Sequence, residues 1–370
     1  MPGIVATQMA SAETSNGILP ARSHADFEGI FEGVEAPFAF VDLDSMWANA
    51  EAILERSGEK PIRIASKSIR SRAVLDRILD RDERFQGVMT FTLAETNWLA
   101  SEGYENLLLA YPTSDLEALA RHALHAAAMP ERSPILTVDC VEHLDLIESV
   151  LGSQAGAVRL CLELDAGWHG LRGRVKAGAK RSPVRTPDEG VALAEEIARR
   201  EKLELVAIMA YESQIAGVAD QPPGRRMRGR MIRWMQKNSV DELAGRRAEF
   251  VRRVGEVAEI EFVNGGGTGS LESTSAEAAV TELAAGSGFF APHQFDHYSR
   301  LSLTPAAGFA LPVVRRPGPG VVTALGGGYL ASGPPGPDRL PVPWLPGGLS
   351  LDRDEGAGEV QTPLIGPAAD

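Results

Sequence analysis

The chain is short of cysteine, of long apolar runs and of positive charge, and each shortage excludes something. Two cysteines, Cys140 and Cys161, in 370 residues cannot build a disulfide framework and fit a reducing compartment. No apolar run approaches the roughly 20 residues that cross a membrane as a helix. Lysine and arginine number 37 against 50 aspartates and glutamates, a formal net charge of -13. Neither nucleic acid nor an anionic membrane is therefore expected as the main partner. No basic start followed by an apolar core is found at the N-terminus, so no signal peptide is read there and a cytoplasmic protein is expected. Residues 1–34 are small, polar and patternless, and are expected to form a flexible segment.

What is present is an alternation. Strands are predicted at residues 62–68, 87–91, 107–111, 135–140, 158–164, 203–211, 261–264 and 284–290. Helical patterns lie between them at 72–84, 93–101, from 114, at 142–151, 188–200, 224–256 (one or two helices) and 276–283. Short apolar strands that mostly do not alternate, separated by helices, imply a parallel sheet covered on both faces. Eight such units predict a (β/α)8 barrel over residues 35–300, with a doubly wound open sheet as the competing architecture. The strand at 38–43 would make a ninth unit and is assigned to the edge of a second domain. That domain is expected at 301–370, where half of the 24 prolines and about a third of the 38 glycines fall. Short strands between turns at 313–314, 320–324 and 358–361 make it β-rich. It is expected to be incomplete, with at least one open strand edge.

The chemistry-bearing residues begin with Lys67, in Ile62-Arg63-Ile64-Ala65-Ser66-Lys67-Ser68. Alternation along a strand puts Arg63, Ala65 and Lys67 on one face. An inward, desolvated lysine is a candidate for covalent catalysis through its amine. The plain alternative is a lysine just past a strand end, reaching solvent. After the seventh strand comes Asn264-Gly265-Gly266-Gly267-Thr268-Gly269, and near the eighth Ala285-Gly286-Ser287-Gly288. Consecutive glycines let backbone N–H groups approach an anion, and barrel enzymes bind phosphate with the loops after these two strands. A lysine on the first strand and two glycine clusters at the seventh and eighth describe a phosphate-anchored cofactor with an aldehyde, pyridoxal 5'-phosphate.

Further segments carry a family resemblance. They are Phe40-Val41-Asp42-Leu43-Asp44 with Asn49, Leu162-Glu163-Leu164-Asp165-Ala166-Gly167 and Met209-Ala210-Tyr211-Glu212, added to the lysine strand and both glycine clusters. In order and spacing the chain resembles the fold-type III pyridoxal phosphate enzymes, the alanine racemase class. Within that class it is most similar to the D-threonine aldolase and D-serine dehydratase-like group, often labelled amino acid deaminase/aldolase. The resemblance implies an N-terminal barrel, a C-terminal β domain, a homodimer and Lys67 as the Schiff-base lysine. It implies cofactor contacts from Tyr211, Asn264, Gly265, Gly266, Gly267, Thr268, Gly269, Gly286, Ser287 and Gly288. Alanine racemases carry an arginine facing the pyridine nitrogen near the fifth strand. Gly170 stands at that place here, so Arg172 or Arg174 would have to substitute. The group's divalent metal is bound late in the C-terminal domain, but no histidine follows His297 and no cysteine follows Cys161. No metal ligands are assigned.

The remaining candidates are read as structural. Asp165 is expected to hold its loop, and Gln214 to be an ordinary loop residue rather than a substrate contact. The spacing of His293 and His297 would suit a metal on a helix, but two surface histidines are the preferred reading. Cys140, His122, His125 and His143 show no pairing in sequence, and Cys140 is expected to pack at the end of the fourth strand. The arginine-rich run from Arg225 to Arg233 reads as an exposed helix with one buried stripe. The expected activity is a lyase on small β-hydroxy amino acids, of D configuration, by retro-aldol cleavage or dehydration. The rivals are an amino acid racemase, for which Tyr329 is the only late tyrosine, and a non-catalytic pyridoxal phosphate-binding paralogue.

Overall fold

The eight apolar segments close into a parallel barrel: β1 (Ile62–Ala65), β2 (Phe85–Thr90), β3 (Leu107–Leu109), β4 (Ile135–Val138), β5 (Val158–Glu163), β6 (Leu203–Ala210), β7 (Phe262–Gly265) and β8 (Glu282–Ala285). They are hydrogen-bonded in chain order, and β8 returns to pair with β1 through Ala285 and Ile64. This computed structural model describes residues 22–152, 156–328 and 339–370. These divide into two compact units, with 49–303 and 339–340 in the barrel unit and the rest in the other.

Strand burial explains the apolar runs. Every residue of β1, β3, β4 and β8 is buried, because one face meets the barrel interior and the other meets helices. The outer layer packs Leu160, Leu162, Leu205 and Ile208 of the strands against Leu193, Ile197, Leu243 and Phe250 of the helices. The interior holds charge. Arg63 of β1, 1 % exposed, donates from Nε and Nη2 to the two oxygens of Glu282 at 2.7 and 2.9 Å. It also donates to Asn106 O and Oδ1 at 2.6 and 2.8 Å, and its guanidinium lies over the Phe262 ring. A bidentate, fully partnered pair of this kind tolerates burial, whereas removing one partner leaves the other charge uncompensated.

Helix starts follow their caps. Thr92 caps Leu93–Ser101 and Asp115 caps Leu116–Ala128, while Thr186 and Glu189 form a capping box ahead of Pro187–Ala198. The basic segment is one helix, Arg226–Val254, whose buried stripe includes Gly229, Ile232, Ser239, Leu243 and Phe250. Met227, Met231 and Trp234 stand exposed. One predicted element differs. The helix expected at 276–283 lies earlier, at Leu271–Ser275, and β8 begins at Glu282, whose carboxylate is drawn inward by Arg63. Another element, the antiparallel hairpin Trp168–Gly170 with Val175–Ala177, was not predicted.

In the second unit Phe38–Val41 pairs antiparallel with Ala307–Ala310, so the early strand is not part of the barrel. Phe27, Phe31, Phe38 and Phe40 cluster beside it. A four-stranded antiparallel sheet has the order Val313–Gly318, Val321–Leu325, Gln361–Ile365, Ser350–Leu351, and its first strand is an exposed edge throughout. The segment expected to be patternless contains a capped helix, His24–Ile30, closed by Ser23 and Asp26. Residues 1–21 and Tyr329 lie outside the described residues. Among the described residues no helix is long and apolar enough to cross a membrane.

Candidate active site

The C-terminal ends of parallel barrel strands share one rim, and barrel active sites are built there. That rim here carries Lys67 after β1, Tyr111 after β3, Asp139 after β4, Glu163 at the end of β5, Tyr211 after β6 and the two glycine clusters after β7 and β8. A surface hollow of about 390 Å³ lined by Asp76, Leu79, Gly87, Tyr104 and Glu105 sits at the opposite ends of the strands.

Lys67 is not an inward strand residue. β1 stops at Ala65 and the chain turns into a single helical turn, Ser66–Ile69. Strand alternation ends with it, so Ser66 is buried and Lys67 is exposed. Its Nζ donates to Tyr111 Oη at 2.7 Å. The amine is thus held at the rim by a phenol rather than desolvated inside the barrel.

The glycine clusters meet this turn. A Cβ on Gly286 would lie 2.9 Å from Ala65 Cβ and 3.1 Å from Ser68 Cβ, so only glycine lets the loop after β8 press against the lysine turn. A Cβ on Gly288 would strike Thr268 Cγ2 at 2.5 Å, and the Gly288 N–H donates to Thr268 Oγ1 at 3.1 Å. The two clusters therefore pack on each other. Gly266 has φ +83°, a left-handed conformation that favours glycine. Gly267 lies under Tyr211, where a Cβ would sit 3.0 Å from the ring. The N–H groups of Thr268 and Gly269 have no hydrogen-bond partner among the described residues.

A buried carboxylate supports the loop. Glu212 accepts from Arg247 Nη2 at 2.8 Å, from Ser270 Oγ at 2.8 Å, from Gly266 N–H at 3.4 Å and from Thr274 Oγ1. Both Arg247 and Glu212 are fully enclosed. Asn264 is turned elsewhere: its Nδ2 donates to Glu282 Oε1 at 2.8 Å inside the barrel, so its amide is engaged with the Arg63–Glu282 pair. Gly265 is buried between Thr274, Arg247 and Val280. Ser287 opens a short turn beside Gly288 and is half-buried.

Arg172 does not join this group. It lies at the exposed tip of the hairpin, with φ +57°, and Arg174 is exposed on the same tip. The arginine at the rim is Arg181. Its guanidinium lies 5.3 Å from the Tyr111 ring centre and 5.1 Å from that of Tyr211, and 3.9 Å from Glu163 Oε1. Burial pushes the Glu163 carboxyl up to about 7; Arg181 pulls the other way, and Asp139 and Asp165 add to the rise. A carboxyl that changes charge near neutrality at a barrel mouth is a feature of functional sites. Burial likewise pushes Tyr211 up to about 12, so its phenol keeps its proton.

Asp165 is structural, as expected: it accepts from Gly167 N–H at 2.9 Å and pairs with Arg185 at 3.1 Å. Gln214 is buried and donates to Ala166 O and Ser239 Oγ, both at 2.7 Å. His293 and His297 stack edge to face with centroids 5.1 Å apart. Cys140 and His143, read as unpaired from sequence, are brought together with Asp139, the donor atoms of the three lying within 4.8 Å of one another. The helix Val141–Val150 begins directly after β4 and folds His143 back over the strand end.

Fold and rim define an alanine racemase-like architecture, a closed parallel barrel with a separate antiparallel sheet. The family described as "Alanine racemase, N-terminal domain" matches residues 41–237, more than half of the chain. The chain belongs to this family, whose members are fold-type III pyridoxal phosphate enzymes. Among solved structures it is similar to D-threonine aldolase from Filomicrobium marinum, with 18 % identity, TM-score 0.70, and 91 % of this chain and 84 % of that one covered. It is also similar to D-threo-3-hydroxyaspartate dehydratase from Delftia sp. HT23, with 18 % identity, TM-score 0.63, and 91 % and 85 % covered. A third similar structure is the histidine racemase from Leuconostoc mesenteroides subsp. sake NBRC 102480, with 14 % identity, TM-score 0.57, and 90 % and 85 % covered. No curated protein matches significantly.

Proposed function

We propose that this protein is a pyridoxal phosphate-dependent lyase acting on small β-hydroxy amino acids of D configuration, working as a homodimer, with Lys67 as the covalent attachment point. The observation that carries the reading is the packing of Gly286 against the Lys67 turn and of Gly288 against Thr268. One rim thereby holds a lysine amine and two glycine-rich backbone clusters. The residues fit the cofactor. The N–H groups of Thr268 and Gly269, unpartnered among the described residues, suit its phosphate together with Ser287, Tyr211 flanks the same loop, and Lys67 Nζ suits its aldehyde. Asn264, engaged inside the barrel, serves as a support of that loop.

When bound, pyridoxal phosphate supplies an electron sink for negative charge at the substrate's α-carbon. The chain's own groups do the rest. Tyr111 Oη orients Lys67 Nζ, which moves the proton at the α-carbon in dehydration. Arg181, stacked on Tyr111 and Tyr211, offers a fixed positive charge for the substrate carboxylate. Glu163, which changes charge near pH 7, is the group suited to hold the proton of the β-hydroxyl in retro-aldol cleavage.

Similarity to an aldolase and a dehydratase supports a lyase, and similarity to a racemase keeps racemisation as the competing reading. Incubation of the holoprotein with D- and L-isomers of serine, threonine and 3-hydroxyaspartate separates them. Glycine plus aldehyde, or a keto acid plus ammonia, from the D-isomers is the expected result. Appearance of the mirror-image amino acid alone would make it a racemase, and no turnover would leave a cofactor-binding protein.

A further inference from the structure

The rim carries one cluster that the lyase reading does not use. Asp139 is buried at the end of β4, Cys140 follows it, and His143 sits on the first turn of the next helix. Asp139 Oδ1 lies 3.0 Å from His143 Nδ1. The same Nδ1 accepts the backbone N–H of Asp139 at 3.4 Å. The carboxylate contact is the shorter of the two, so Asp139 and His143 share a proton there. A divalent cation can take the place of that proton between the same two atoms. The Cys140 sulfur completes a set of three ligand atoms within 4.8 Å, and it lies within hydrogen-bonding reach of the His143 backbone N–H at the start of the helix. The Glu142 carboxylate also lies within hydrogen-bonding reach of the thiol, which adds negative charge beside the cluster.

We propose that Asp139, Cys140 and His143 bind one divalent cation of the zinc class at the barrel mouth. Mixed sulfur, nitrogen and oxygen donors select zinc or cobalt over magnesium or calcium, which take oxygen alone. Tetrahedral ligand atoms lie about 3.3–3.8 Å apart at ordinary metal–ligand lengths, so a small movement of the Cys140 side chain closes the set. Three protein ligands leave a fourth position for water or another oxygen donor, the arrangement of exchangeable rather than structural sites. Binding would displace the thiol proton. The site does not depend on the Schiff-base assignment of Lys67, and its test does not read turnover.

The test is titration of the chelator-treated holoprotein with cobalt(II), followed by competition with zinc(II). The expected result is one equivalent bound with a thiolate-to-cobalt charge-transfer band. Cys140→Ser abolishes the band, and His143→Ala and Asp139→Asn each weaken binding about 100-fold or more. His293→Ala changes neither, and circular dichroism confirms that the variants remain folded. No charge-transfer band in the wild type, or one equivalent bound with equal affinity by Cys140→Ser and His143→Ala, would overturn the site. If His143→Ala does not fold, Asp139→Asn with Cys140→Ser decides on the same criteria.

Discussion

At the scale of single residues, the rim is tuned by burial. Glu163 has a folded pKa of about 7 against about 4.3 in an unfolded chain. The folded state therefore holds its proton more tightly, and this group's stabilisation is complete below the unfolded value and lost as pH rises through about 7. The difference is on the order of 3 kcal/mol. Glu163→Gln, which cannot lose a proton, should match the wild type near pH 4.5 and become progressively more stable than it toward pH 8. A constant difference in unfolding midpoint across that range would mean that Glu163 titrates normally. From sequence, Lys67 is either inward on its strand or just past the strand end and reaching solvent; the structure shows the second, because the chain turns into a helix after Ala65, a turn that an alternation pattern does not reveal. Arg181 was missed altogether. It follows a hairpin with no strong apolar signal, and nothing local sets it apart from Arg172 or Arg174. Asp139, Cys140 and His143 do carry a signal, an i, i+4 acid–histidine pair around a cysteine at a strand–helix junction, but Asp139 does not stand out in the sequence, and without it Cys140 and His143 show no pairing.

At the scale of elements, the loops after β7 and β8 act through the absence of side chains. Gly286 touches Ala65 and Ser68 so closely that any Cβ must shift the lysine turn. Gly286→Val is expected to weaken pyridoxal phosphate binding about tenfold or more while the barrel stays folded, since overpacking of this kind costs roughly 1–3 kcal/mol. Unchanged cofactor affinity in a folded variant would show that the two loops do not cooperate with the lysine turn. The strands themselves were legible because both faces are buried and their apolar runs stand out between helices. The β8 boundary was not legible, because Glu282 breaks the apolar run. Only the structure shows that its charge belongs inside, paired with Arg63. The basic segment is expected to form one or two helices and forms a single one, whose buried stripe is the Gly229–Ile232–Ser239–Leu243 side; Met227 and Met231 stay exposed, and Trp234 packs edge to face on Trp168.

At the scale of the whole molecule, two units are built on different principles. The barrel unit has a continuous core and a charged interior held by a bidentate pair. The second unit pairs an early strand with a late one, Phe38–Val41 with Ala307–Ala310, and leaves Val313–Gly318 as an exposed edge. Such edges are where chains add to one another. Placing the strand at 38–43 outside the barrel follows from the sequence, since a ninth strand has no place in an eight-stranded barrel, and it does lie in the second unit; its partner strand is not legible, because nothing local links residues so far apart. The function rests on the barrel rim, and there on one amine. The most direct measurement is borohydride reduction of the pyridoxal phosphate-loaded protein followed by peptide mapping. Label confined to the peptide containing Lys67, and absent from Lys67→Ala, is the predicted result. Label on any other lysine, or undiminished label in Lys67→Ala, would contradict the account.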